Sequence, residues 1–304
     1  MRITNNMLID NMLSNLNRNL NRVSKYQNQL STGKKISLPS DDPIVASRAL
    51  KLRTDVAEIK QFRRNVNDAM SWMEITEATL AQIGEIMQRV RELTVDASNG
   101  TKTPDDLDKI KAEVEQLKIQ MTHLANATYS GRYIFSGFKT DKPLMDEEGN
   151  FLIDISDRER IFYEVGIGDD IDINVLGCDL FHRGANEAEA GTTKSHMIDT
   201  FDRLIAALES GDVTAVGDML SEIDVEMENI LRVRSAIGAR MNRLELTANR
   251  LDDDNINFTK LMSKNEDVDI AEAIMNLMNE MNVYNASLAV GSQVIQPTLV
   301  DFLI

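Results

Sequence analysis

Cysteine occurs once in the 304 residues, as Cys178, so the chain can close no intramolecular disulfide and can build no zinc site from two or more thiolates. Proline occurs five times and aromatic residues make up only 5% of the chain, whereas methionine occurs 16 times, a profile that favours long helices over a sandwich or barrel. Nowhere do the ~18 consecutive apolar residues of a membrane-spanning helix appear. The opening MRITNNMLIDNMLSNLNRNL has no apolar h-region and no small-residue cleavage site. These absences predict no membrane insertion and no use of the general secretory route. Basic residues are outnumbered 33 to 49 by acidic ones, for a net charge of -16 and a pI near 4.7, which predicts no nucleic-acid partner.

Signs of catalysis are scarce as well. His123, His182 and His196 lie far apart and form no metal-ligand spacing. Gly166-Ile167-Gly168 lacks the third glycine and following helix of a dinucleotide fingerprint, and neither a phosphate-binding loop nor a nucleophile elbow is present. Asp169, Asp170 and Asp172 could bind a hard cation, but the glycine and terminal acid of a calcium loop are missing, so solvated charge is the expectation. The chain is therefore expected to be no enzyme, with no catalytic, cofactor-binding or metal-ligating residues.

What the sequence does contain is apolar spacing of three and four residues, the stripe of an amphipathic helix, repeated several times. Ile9, Leu13, Leu16, Leu20, Val23 and Leu30 form the first stripe, interrupted by Gln27 and set among eight asparagines in residues 5 to 28. Asparagine competes with the backbone for hydrogen bonds, so this helix needs a partner. LSTGKKISLPSDDP then breaks the pattern: Gly33 permits a bend, Ser40 or Asp41 caps the next helix, and Pro43 sits in its first turn. The frame resumes from Leu52 to Ala97, and Thr103-Pro104-Asp105-Asp106 starts a second helix that folds back antiparallel. From about 138 to 190 the period becomes two, as in Phe151, Ile153, Ile155 and in Ile171, Ile173, Val175, with turns at Gly149 and at Gly166 to Asp169; these are read as strands. Helix returns near Ser195 and runs as a long stripe from Val216 to Met262. The last stripe is Ile270, Ile274, Leu277, Met281, Tyr284, Leu288 and Ile295, followed by Leu299 and Phe302.

Residues 1 to 35 hold six basic residues against Asp10, a net of +5, while residues 252 to 304 hold nine acidic residues against two lysines, a net of -7. Opposite charge on two amphipathic segments favours their pairing with one another over self-pairing.

ITNNML near the start, LSTGKKISLPSDDPIVASRALKLR at 30 to 53, GRYIFSGF at 131 to 138, and SKNEDVDIAEAIMNL with YNASLAVGSQVIQPTLVDFL later on form a specific combination. On these residues the chain resembles the flagellin-like axial proteins of bacterial flagella. Flagellin usually continues its basic glycine turn with an SxxDDxAGLAI-like segment, whereas Asp41-Asp42 is followed here by Pro43-Ile44-Val45-Ala46. That continuation, and an end reading Leu299-Val300-Asp301-Phe302-Leu303-Ile304, look like the hook-associated members of the family. The resemblance implies a structural subunit of the hook-filament junction. Its implied partners are the hook-associated protein FlgK, flagellin, further copies of itself in a ring-like layer, and a flagellar export chaperone. Export through the flagellar channel implies an extracellular, flagellar location without a cleaved signal peptide.

The expected fold is mainly α, a long antiparallel helical bundle or coiled coil with flexible terminal helices and a small β-rich insertion domain. The expected division is an assembly segment at 1–43 pairing with another at 260–304, the halves of a helical rod at 44–137 and 195–259, and the insertion at 138–194. The expected assembly interface is Ile9, Leu13, Leu16, Leu20, Val23, Leu30, Ile270, Ile274, Leu277, Met281, Tyr284, Leu288, Ile295, Leu299 and Phe302, and the expected joint is Gly33, Ser40, Asp41, Asp42 and Pro43. A flagellin filament subunit, a cytosolic helical signalling scaffold and a hydrolase within the insertion are the alternatives.

Overall fold

Long apolar stripes at helical spacing become long helices in the structure, a computed structural model that describes residues 5–36, 38–99 and 102–294. The chain runs through α1 (Asn5–Thr32), α2 (Pro43–Ser98), α3 (Pro104–Ala125), the short strands β1 (Thr128–Tyr129), β2 (Arg132–Tyr133), β3 (Ile155–Ser156), β4 (Phe162–Gly166) and β5 (Asp169–Asp172), then α4 (Gly177–Phe181), β6 (Glu187–Ala188), α5 (His196–Ser210), α6 (Val213–Glu266) and α7 (Ile270–Val294). Two compact units divide it: Met1–Glu58 with Asp253–Ile304, and Ile59–Asp252. The fold is mainly α.

In the unit Ile59–Asp252, α2 buries Val66, Ala69, Met73, Leu80, Ile83, Met87 and Val90 at three- and four-residue spacing, and α6 buries Val216, Ile223, Ile230, Ile237 and Leu244. Arg63 with Asp252, Arg234 with Glu77 and Arg91 with Asp224 set α2 and α6 antiparallel. Threonine is tolerated in the α2 core because each hydroxyl donates to a carbonyl four residues back: Thr76 to Trp72 at 2.8 Å and Thr94 to Val90 at 2.7 Å. Thr103 caps α3 as expected, and Asp106 reaches back to it to complete a capping box. α3 lies antiparallel to α5, with Lys118 on Asp202 at 2.6 Å and Lys111 on Glu209 at 3.3 Å.

The segment expected to be β-rich contains little ladder. β3 pairs with β6 and β4 with β5, both antiparallel, while β1 and β2 form a hairpin before the insertion begins. Phe151, Ile153, Ile173 and Val175 are buried as alternation predicts, but they stand outside the named strands, held by isolated bridges and turns. Alternation reports which side chains face inward and does not require a neighbouring strand. The unforeseen helix α4 is clamped to α6: Arg183 just past it meets Glu222 and Glu226, and the Asn229 amide donates to the carbonyls of Asp179 and Leu180 at 3.1 and 2.9 Å.

Gly149 seats the insertion on the start of α5. Its φ of +87° is left-handed, its carbonyl accepts from Ser195 N–H at 2.9 Å, and a Cβ there would stand 2.6 Å from Ile198 Cβ. Gly149→Ala is therefore expected to destabilise the unit by roughly 2–4 kcal/mol. Gly168→Ala, also at positive φ but facing open space, should cost about 1 kcal/mol. Urea unfolding followed by the single tryptophan, Trp72, measures both.

Candidate assembly interface

α1 and α7 belong to the unit containing Met1–Glu58 and Asp253–Ile304, and they pack on each other antiparallel. With so many asparagines α1 is a poor helix in isolation, and the apolar side chains it lays against α7 compensate. The face of α1 turned inward carries Ile9, Met12, Leu16, Asn19, Val23, Tyr26 and Leu30, an unbroken alternation of three and four residues. On α7 the inward positions are Ala273, Leu277, Glu280, Tyr284, Ser287 and Gly291. This seam is neither uniformly apolar nor uniformly tight. Asn19 is buried at 7% exposure and its amide donates to Ser287 Oγ at 3.0 Å. Arg22 donates to Asn19 Oδ1 at 2.6 Å and to Glu280 at 3.0 Å, and the Ser287 hydroxyl donates to Val283 O at 2.7 Å. Gly291 is buried because the end of Met12 occupies the place of a side chain: a Cβ there would lie 2.3 Å from Met12 Cε.

The expected interface residues therefore separate into two groups. Ile9, Leu16, Val23, Leu30, Leu277 and Tyr284 face the partner helix. Leu13 and Leu20 stay 45% and 48% exposed, and Ile270, Ile274, Met281 and Leu288 are also exposed, joined on α7 by Met275, Met278 and Val290. Within the chain, the seam expected through Leu13 and Leu20 is replaced by one through Met12, Asn19 and Tyr26. Both frames obey the same spacing, and apolar content alone pointed to the leucines. Ile295, Leu299 and Phe302 lie outside the described residues.

The joint is built from backbone and charge. Gly33 takes φ +68°, and residues 33–35 form a bridge with 266–268, in which Lys35 N–H donates to Glu266 O at 2.6 Å and Val268 N–H to Gly33 O at 3.0 Å. The cap of α2 falls to Asp42 and not to Ser40 or Asp41: Asp42 Oδ1 accepts the N–H groups of Ile44 and Val45, each at 3.0 Å, with Pro43 in the first helical position. Asp41 instead closes the preceding turn by accepting Leu38 N–H at 3.0 Å, and Ser40 is exposed in that turn. The cap sits one residue later than expected because a side chain reaches the second and third N–H groups only from the position directly before the first helical residue.

Sequence reasoning missed the residue that ties the joint together. Glu266, at the end of α6, is 1% exposed, yet its two oxygens hold Arg53 at 2.6 and 2.7 Å and Lys34 at 2.9 Å. The Arg53 hydrogen bonds, with help from Lys34, hold the Glu266 carboxyl below its ordinary range despite burial. Lys34 also meets Asp267 at 2.9 Å, and Asn265 donates to Val45 O at 3.1 Å, so the ends of α1 and α6 and the starts of α2 and α7 converge here. The partners of Glu266 are 213 and 232 positions away in the chain, which no local pattern reveals.

Elsewhere, no group of three or more His, Cys, Asp or Glu among the described residues could hold a metal ion. Asp169 pairs with Arg243 and Arg250, and Asp172 with Arg160 and Arg240, so the acidic turn is met by four arginines. His182 and His196, remote in sequence, stack with ring centres 4.3 Å apart, and burial lowers the pKa of His182. Cys178 is buried, which raises its thiol pKa to about 11 and leaves it a poor nucleophile. No helix of the described residues is long and apolar enough to cross a membrane.

The paired end helices lie within matches to two family models, the bacterial flagellin N-terminal helical region over residues 3–140 and the bacterial flagellin C-terminal helical region over residues 220–303. The chain belongs to the flagellin family. Among its relatives, flagellar hook-associated protein 3 of Escherichia coli K12 is 29% identical over 94% of this chain and 95% of that protein. Flagellin of Bacillus subtilis 168 is 28% identical over 96% of each. A solved structure of a putative flagellar hook-associated protein from Vibrio parahaemolyticus superposes with a TM-score of 0.63 at 22% identity, covering 75% of this chain and all of that one, a likeness of fold. The flagellin-family matches take in α1 to α3 and most of α6 with α7, and leave most of the insertion outside.

A carboxylate whose folded pKa is depressed contributes stability above its unfolded value, near 4.3, and loses it as pH falls through the folded one. Protection of the Lys35 and Val268 amides, taken against the intrinsic exchange rate at each pH, is therefore expected to fall below about pH 4.3. Glu266→Gln should lower it already at neutral pH, by about 1–3 kcal/mol, and flatten this part of the acid response. Equal pH profiles for parent and variant would refute the role given to Glu266.

Proposed function

We propose that this chain is a non-enzymatic structural subunit of the bacterial flagellum that works at the hook-filament junction, adapting the hook-associated layer below to the flagellin filament above. The observation that carries this is the pairing of α1 with α7 through a mixed polar seam, which leaves Leu13 and Leu20 on one helix and Ile270, Ile274, Met281 and Leu288 on the other facing outward. Apolar columns of this length on the outside of a two-helix unit are the surface that neighbouring subunits would cover, at about 1.5–3 kcal/mol for each side chain fully buried. FlgK and flagellin are the proposed neighbours below and above, further copies the lateral ones, and an export chaperone the partner before assembly. The proposed location is extracellular, on the flagellum. Family membership and full-length relatives that include a hook-associated protein support the reading.

The segments 1–43 and 260–304 are proposed as the assembly unit, and the helices of 44–137 and 195–259, with the insertion 138–194, as the part that folds independently of neighbours. A filament subunit is the second reading, favoured by the flagellin relative of matching length. Deleting the gene separates the two. Loss of a junction subunit sends unassembled flagellin into the medium while hooks remain, whereas loss of the filament subunit leaves no flagellin to release.

Leu13→Ser with Leu20→Ser is expected to leave the fold of the isolated chain within about 1 kcal/mol of the parent, because both side chains are already about half exposed. Incorporation onto hook structures should fall at least tenfold, as burial of two leucines by neighbours is lost. Sedimentation of hooks with bound subunit measures this, and unchanged incorporation would refute the assembly role of that column.

A further inference from the structure

α1 can present either of two seams to α7. They share Ile9, Leu16, Val23 and Leu30, and a small rotation about the helix axis exchanges Met12, Asn19 and Tyr26 for Leu13, Leu20 and Gln27. Burying Leu20 in place of Asn19 favours the rotated seam, and burying Gln27 in place of Tyr26 opposes it. The apolar terms thus nearly cancel, and a few directional contacts can decide between the frames.

Those contacts are present as one connected chain. Glu280 on α7 accepts from Arg22, Arg22 donates to Asn19, Asn19 donates to Ser287, and Ser287 donates to the carbonyl of Val283. The chain crosses between the helices twice, at Arg22 with Glu280 and at Asn19 with Ser287. The rotated frame would carry the Asn19 amide away from Ser287. A single buried asparagine in an otherwise apolar helix pair is a device for fixing register and orientation, at a cost in stability.

We propose that Asn19 and Ser287 select the rotational frame of α1, holding it where Leu13 and Leu20 stay outward. The value of that outward column rests on the assembly reading above, but the selection of the frame does not. Asn19 acts as a positioning residue. It contributes less to the strength of the pair than a leucine would, and it forbids the alternative in which α1 spends its two best apolar side chains on α7.

Disulfide trapping in the full-length chain tests this without any assembly partner. Met12→Cys with Gly291→Cys reports the observed frame, since Met12 already fills the space over Gly291, and Leu13→Cys with Gly291→Cys reports the rotated one. The first pair is expected to close faster than the second. Adding Asn19→Ala with Ser287→Ala should reduce the ratio of the two rates by roughly fivefold, the scale of one net hydrogen bond. The exchanged pair Asn19→Ser with Ser287→Asn should restore it. An unchanged ratio in the alanine background, including a case in which both rates fall together because the helices separate, overturns the proposal, as does failure of the exchanged pair to restore it. Failure of the assembly reading would appear instead as normal hook incorporation of the Leu13 and Leu20 serine variant, with these trapping ratios unaffected.

Discussion

A helix held by one neighbour can hide a single stripe, on the order of 100° of its circumference. α1 and α7 each carry apolar side chains over a wider arc than that, so their pairing has to choose which columns to bury. On α1 the two choices are nearly equal in apolar terms, since Met12 and Tyr26 turn inward where Leu13 and Leu20 would in the other frame. Asn19, Glu280, Ser287 and Gly291 face inward, while Leu13, Leu20, Ile274, Met281 and Leu288 face water. A subunit that must offer an apolar surface to its neighbours has reason to keep that arrangement, and the polar contacts of the seam supply the geometry that apolar packing leaves open.

The joint beside this pair follows a different logic. Gly33 and the residues around Glu266 are held by hydrogen bonds and ion pairs. Glu266 can be buried with its charge because Arg53 and Lys34 keep much of their own contact with solvent, so the cost of desolvation falls mainly on one partner. That arrangement locks the convergence of four segments while leaving it responsive to acid. In the unit Ile59–Asp252, by contrast, the columns of α2 and α6 and the core of Phe135, Phe151, Phe181 and Phe201 are buried within the chain.

Much of this was legible from the residues alone. Three- and four-residue spacing placed every long helix, Thr103-Pro104-Asp105-Asp106 announced the start of α3, and Gly149 and Gly168, placed in turns, take left-handed backbone. Strand assignment was weaker, because Phe151 and Ile153 turn inward around an exposed Leu152 without belonging to a strand, and a pattern of burial does not specify hydrogen bonding. The cap at Asp42 was missed by one residue in a run of Ser, Asp and Asp, each of which can cap. Glu266 could not have been found, since its importance comes from partners more than 200 positions distant.

By itself the sequence determined where helices run, which residues break them, that their ends carry opposite charge, and the family to which the chain belongs, because each is a local property of spacing and residue type. Only the tertiary structure decided which face of α1 meets α7. Two frames satisfy the same three- and four-residue period, and period alone carries no information about rotation. The decision fell to hydrogen bonds among Arg22, Asn19, Glu280 and Ser287, whose directionality exists only once two distant segments lie side by side.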